Sequence, residues 1–164
     1  MTEPMSGETH RLIRAQFGRT AARFAASAAA ERLSQVQSLV QLVEPSSADL
    51  LLDVACGPGR LLATVAPYVR FAVGVDLTPE MLMVARGRRR EQPSCAIGLV
   101  LGEGERLPFR DEAFTVVTTT LAIHHYVDPF RVLQEMVRVC KPGKKIAISD
   151  TVGSPDESGL RQCS

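Results

Sequence analysis

The chain has 164 residues, 45% hydrophobic and 23% charged, with a formal net charge of +1. That length allows one domain at most, and so balanced a charge gives no footprint for a polyanionic partner such as nucleic acid. No apolar run approaches the roughly 18 residues of a membrane span, and the first dozen residues lack the apolar stretch of a signal peptide.

Residues 1–10 carry no pattern and read as a loose N-terminus. A helical region over 11–43 follows, with one break. Ala21 to Ala30 is alanine-rich, which favours helix, and Leu33, Val36, Val40 and Val43 recur at helical spacing as a buried face. Pro45-Ser46-Ser47 ends it.

The stretch from Leu50 to Arg60 organises the rest. Leu50 to Ala55 is a short apolar run interrupted by Asp53, which suits a parallel strand covered on both faces. Gly57 and Gly59 allow a sharp turn and the close approach of a ligand. Leu61, Leu62, Val65 and Ala66 then mark one face of a helix. Asp53 is expensive to shield from water without a partner. It is either bonded to nearby loop N–H groups or placed to meet a cationic ligand. A dinucleotide-binding turn wants a third glycine, and Leu62 stands there instead. An acid ahead of the turn suits an ammonium group better than a pyrophosphate.

Phe71 to Asp76 reads as a second strand ending in an acid. Asp76 lies 17 residues beyond Gly59, about where a carboxylate at the end of a second strand grips ribose hydroxyls. Thr78 is the expected N-cap of the next helix, with Pro79 in its first turn. Met81, Leu82 and Ala85 are its buried face. Arg86, Arg88, Arg89 and Arg90 form a solvated basic end, favoured by the helix dipole. Ile97 to Leu101 is the third strand, followed by Gly102-Glu103-Gly104-Glu105 and the apolar plug Leu107-Pro108-Phe109. Ala113 to Thr120 is the fourth strand, rich in β-branched residues. His124 and His125 follow at the edge of a parallel sheet where ligands gather. Adjacent residues point different ways, so at most one of the two faces a site. Asp128-Pro129 begins a helix with Phe130, Leu133, Val137 and Cys140 as its buried stripe, stopped at Lys141-Pro142-Gly143. Lys145 to Asp150 is the fifth strand, and residues 151–164 form a polar C-terminal tail. Cys56, Cys95, Cys140 and Cys163 show neither disulfide nor metal-ligand spacing. No metal is expected, and the setting is reducing and cytoplasmic.

Five phrases now stand in order: LLDVACGPGR, VGVDLTPEML, GEGERLPF, HHYVDP and RVCKPGKK. Together they resemble the class I S-adenosylmethionine (SAM) dependent methyltransferases, and within them the family that includes the ubiquinone and menaquinone biosynthesis methyltransferases. The resemblance covers roughly residues 15 to 156. It implies an α/β fold, a Rossmann-like parallel sheet of order 3-2-1-4-5 with helices on both faces, lacking the final two strands of the family fold. The domain then spans 11–150 and is incomplete. The cofactor implied is SAM, and the partner a small-molecule acceptor.

On the matching positions, Asp53 faces the methionyl ammonium, and Ala55, Gly57 and Gly59 leave room for the ligand. Asp76, with Leu77 beside it, holds the ribose hydroxyls. Glu103 and the Gly104 N–H read the adenine, Glu103 being one methylene longer than the family's usual aspartate. Thr120 matches a small hydroxyl position beside the cofactor. The family's N-terminal aromatic pair matches Phe17 and Phe24, in a region that caps the cleft. Thr115 stands where the family has aspartate. The sulfonium is already a good leaving group, so positioning dominates and no catalytic residue is assigned. A nicotinamide oxidoreductase is disfavoured by Leu62 and Asp53. A SAM-binding fragment without turnover is the alternative, and strand five at a sheet edge invites self-association.

Overall fold

The computed structural model describes residues 5–26, 29–91 and 96–150. The polar tail at 151–164, Cys95, Cys163 and the side chains of Phe24 and Leu33 lie outside the described residues. Five strands form one parallel sheet: β1 (Leu50–Val54), β2 (Phe71–Asp76), β3 (Ile97–Leu101), β4 (Phe114–Thr120) and β5 (Cys140–Ser149). Their order is β3-β2-β1-β4-β5, the Rossmann-like order expected. Around it lie α1 (Met5–Ala26), α2 (Ala29–Val43), α3 (Arg60–Val65), α4 (Pro79–Glu91) and α5 (Pro129–Val139). Among the described residues, no helix is long and apolar enough to cross a membrane.

The alternation of strand side chains divides the core in two. Leu51, Ala72, Ile97 and Val116 pack against α2 and α3 through Val36, Leu39, Leu61 and Leu62. Leu52, Val54, Val75 and Val117 pack on the other face against α5 through Val132, Met136 and Val139. β1 is central, and Leu51, Leu52 and Val54 are fully shielded from solvent.

Four expectations need correction. The helix begins at Met5, not at residue 11, so residues 5–10 are helical rather than loose. Glu8 in its first turn suits the positive end of the helix dipole. The face of α2 uses Leu39 along with Val36 and Val43, while Val40 is only partly buried. β5 starts at Cys140, which pairs with Phe114. Lys145 then pairs with Val116, so the residues between form a bulge with Gly143 at φ 71°. A bulge on an edge strand is where Pro142, lacking an N–H, does no harm. The largest correction concerns α5. Phe130 is 78% exposed and Val137 63% exposed, while Val132, Glu135, Met136 and Val139 are buried. The buried stripe is rotated by one residue from the expected one. The Asp128 side chain accepts the Arg131 N–H at 2.9 Å and fixes where the helix starts. Glu135 is then carried inward, where its carboxylate accepts the Leu107 N–H at 2.8 Å.

Candidate ligand cleft

Parallel strands end on one side of a sheet, and the loops after β1, β2, β3 and β4 enclose a cleft there. Asp53, Ala55, Gly57, Asp76, Leu77, Glu103, Gly104 and Thr120 all line it. Of the nine residues singled out, Gly59 alone is not on the wall. At φ 74° it sits in the left-handed region, and a Cβ there would lie 2.9 Å from Ala85 Cβ. Gly59 therefore makes the turn and lets α3 approach α4 closely. Gly57, at φ 52°, has open space where a Cβ would be.

Leu62 has its own explanation. A Cβ at Gly74 on β2 would fall 2.5 Å from Leu62 Cδ1 and 2.6 Å from Cys56 Sγ. The sheet thus supplies the glycine, and the bulky leucine occupies the space a dinucleotide turn keeps clear.

The two acids differ in how they are held. Asp53 is 2% exposed and receives the Thr118 hydroxyl at 3.0 Å. Burial pushes its carboxyl up to about 7, the Thr118 bond opposes this, and the charge of Asp76 adds to it. The loop N–H groups go to Asp76 instead. Its Oδ2 accepts the Gly57 N–H at 2.7 Å and its Oδ1 the Thr78 N–H at 2.8 Å. Burial raises its carboxyl above the usual range, and these N–H bonds hold the rise down. The Thr78 side chain bonds the same carboxylate, which still has acceptor capacity left for a further donor. Ala55 sits at φ 55°, a left-handed conformation costly for alanine, and carries the chain from β1 into the turn.

Beyond the acids, the Thr120 hydroxyl is buried and has no hydrogen-bond partner among the described residues. Such a group is rare in a finished interior. Thr119 and the Tyr126 hydroxyl pair at 3.1 Å, and burial pushes the Tyr126 phenol up. Of the two histidines, His125 faces the cleft, as the one-of-two rule anticipates. Its ring meets Phe17 edge-on, with centroids 4.9 Å apart. Burial lowers its affinity for a proton, and the charge of His124 lowers it further. His124 Nδ1 is 2.7 Å from Asp150 Oδ1.

Some wall residues were not anticipated. His10, Ile13, Arg60 and Tyr126 line the cleft, and His10 lies 3.6 Å from Glu103 and 3.5 Å from Glu105. His10 fell in the segment read as loose, so no signal pointed to it. Thr115 donates its hydroxyl to Asp49 Oδ1 at 2.8 Å.

Comparison with known proteins fits this architecture. Residues 52–148 match the methyltransferase domain family. The uncharacterized methyltransferase YcgJ of Bacillus subtilis (strain 168) is 30% identical over 118 residues, 72% of this chain and 47% of that protein. The ubiquinone/menaquinone biosynthesis C-methyltransferase UbiE of Geobacter sp. (strain M21) is 33% identical over 150 residues, 83% of this chain and 61% of that protein. The crystal structure of YcgJ superposes with a TM-score of 0.71 at 28% identity, covering 76% of this chain and 53% of the other. The chain spans about half the length of the curated relatives it matches. The match over residues 52–148, more than half of the chain, makes it a member of the methyltransferase domain family, a class I SAM-dependent methyltransferase fold.

Proposed function

We propose that this chain binds SAM in the cleft and that its methyl group passes to a small-molecule acceptor. The observation that carries the reading is the pair of buried acids, Asp53 and Asp76, flanking a glycine turn open at Gly57. A cation relieves the cost of keeping two carboxylates out of water. The methionyl ammonium suits Asp53, whose one side-chain partner, Thr118, donates a neutral bond. The ribose hydroxyls suit Asp76, already oriented by two backbone N–H groups. Leu77 and Ala55 shape the wall beside them. The adenine suits Glu103 with the Gly104 N–H, and Thr120 has a hydroxyl to spare. When bound, SAM supplies a methyl group on a sulfonium. The chain's task is then to orient the acceptor and exclude water.

Calorimetric titration with SAM, S-adenosylhomocysteine (SAH) and NAD tests the reading. Binding of the first two without NAD supports it, and NAD binding with no response to SAM or SAH overturns it. A second reading, a SAM-binding piece without turnover, is supported by the exposed apolar groups Phe130, Val137 and Ile148 on α5 and β5. Methyl transfer over a panel of hydroxyl, amine and quinone-ring acceptors separates the two.

A further inference from the structure

The loop between β3 and β4 carries both residues assigned above to adenine, and it is gripped by a charged row on α5. Arg131, Glu135 and Arg138 recur at helical spacing on one face. Arg131 Nε donates to the Glu105 carbonyl at 3.2 Å. Glu135 Oε2 accepts the Leu107 N–H at 2.8 Å. Arg138 donates to the Leu107 carbonyl at 3.1 Å, the Phe109 carbonyl at 2.8 Å and the Asp111 carboxylate at 2.7 Å. The same guanidinium holds both oxygens of Glu135, at 2.8 and 2.7 Å.

Glu135 is 5% exposed. Arg138, its partner, is 30% exposed, so the pair by itself adds little stability and its role is read from what it holds. What it fixes is backbone: two carbonyls and one N–H of a single loop. The loop has little slack elsewhere. Gly102 N–H donates to the Asp76 carbonyl at 3.0 Å. A Cβ at Gly104 would come within 3.3 Å of Tyr126 and 3.4 Å of Val132 on α5. The Glu103 side chain itself is 48% exposed, with the His10 ring 3.6 Å away. Its reach is therefore set mainly by where the backbone puts it.

We propose that Glu135 and Arg138 are positioning residues for purine recognition: they hold the 102–109 loop so that the Glu103 carboxylate and the Gly104 N–H meet the adenine edge. The proposal rests on the cofactor reading above. It makes a claim about discrimination that a merely structural clamp does not make. Without the clamp the loop relaxes, and the ligand's 6-amino group loses its acceptor while the contacts at Asp53 and Asp76 remain.

The test compares SAH with S-inosylhomocysteine, which carries an oxo group in place of the 6-amino group, by calorimetry. A hydrogen bond to a carboxylate predicts a preference of about tenfold or more for SAH in the wild type. Glu135→Gln keeps an acceptor for the Leu107 N–H but loses the ion pair. Arg138→Lys keeps a charge beside Glu135 but loses the fork to the two carbonyls. In each, the preference is expected to shrink to about twofold, with the affinity for the inosine analogue nearly unchanged. Melting curves register the structural cost separately, and Arg138→Lys carries the test should Glu135→Gln not fold. A wild-type preference retained in either folded variant overturns the role of that residue, whatever its melting temperature. Equal wild-type affinity for the two ligands overturns the adenine role of Glu103 and this inference with it. No wild-type binding of either ligand overturns the methyl-donor reading itself.

Discussion

The β3-β2-β1 side of the molecule and the β4-β5 side use apolar residues differently. On the first side α3 and α4 each offer one apolar face. α3 buries Leu61, Leu62 and Val65, and α4 buries Met81 and Ala85. Periodicity then has one solution. On the second side α5 carries two apolar stripes, one through Val132, Met136 and Val139, the other through Phe130, Leu133 and Val137. Hydrophobicity alone does not choose between them. The structure buries the stripe next to Glu135, and on that face the carboxylate accepts the Leu107 N–H while Arg138 reaches the Leu107 and Phe109 carbonyls. A charged residue is buried here while a phenylalanine is left in water. The rotation that buries Val132, Met136 and Val139 is also the one that satisfies Glu135.

Two truncations break this comparison most sharply. Met136→Ala removes a fully buried side chain and is expected to cost about 2–5 kcal/mol. Phe130→Ala is expected to change stability by no more than about 0.5 kcal/mol. Urea denaturation of both variants checks the pair, and the reverse order of costs would restore the stripe read from periodicity.

Asp53 sharpens the other side. The folded chain holds its proton more tightly than the unfolded chain does, with the carboxyl pushed from 3.8 up to about 7 by burial. Its contribution to stability is complete below the unfolded value and is lost as pH rises through this window. The loss is on the order of a few kcal/mol. Asp76, also raised, acts in the same direction. Asp49 and Glu135 are held below their ordinary values, so their contributions fade only at more acidic pH. Melting curves from pH 4 to 8 are expected to decline for the wild type and to flatten for Asp53→Asn. An unchanged slope in that variant would assign the decline elsewhere.

The boundaries of β2 and β3 were legible because short apolar runs between turn residues have few alternatives, while the strand order came with the family resemblance. The acids of the cleft were legible because a carboxylate at a strand end needs a reason. The packing role of Gly59 was not legible, since its partner Ala85 lies on a helix 26 residues away in the chain. His10 was missed because nothing local marks a residue that reaches a loop more than ninety positions later. Leu62 read as a missing glycine, and only the register of β2 reveals that Gly74 receives it. Local patterns gave the parts. Contacts between distant segments gave the side-chain roles.

Within the cleft, Asp76→Ala is expected to weaken SAM binding by about 1.5–3 kcal/mol. Glu103→Ala is expected to weaken it less, because the proposed reading gives Glu103 one contact from an exposed position and Asp76 two hydroxyls, and Asp76 also accepts the Gly57 and Thr78 N–H groups. Calorimetry on both variants gives the order. Wild-type affinity in a folded Asp76→Ala protein would remove Asp76 from the site.

The smallest change in binding is expected at His125. This ring faces the cleft from the β4 side, beside Phe17, and none of the cofactor contacts proposed here requires it. His125→Ala should therefore leave SAH affinity within about twofold. Its effect belongs to the acceptor. Burial and the neighbouring His124 lower its affinity for a proton, with Asp150 opposing them, so the imidazole is neutral at pH 7 and able to accept one. With a verified acceptor, turnover in His125→Ala should fall by more than affinity does. The wild-type rate should decline only as pH drops through a value below 6.5, where the ring takes its proton. The variant should lose that acid limb. A mutant that keeps both the rate and the limb would make His125 a wall of the cleft and nothing more.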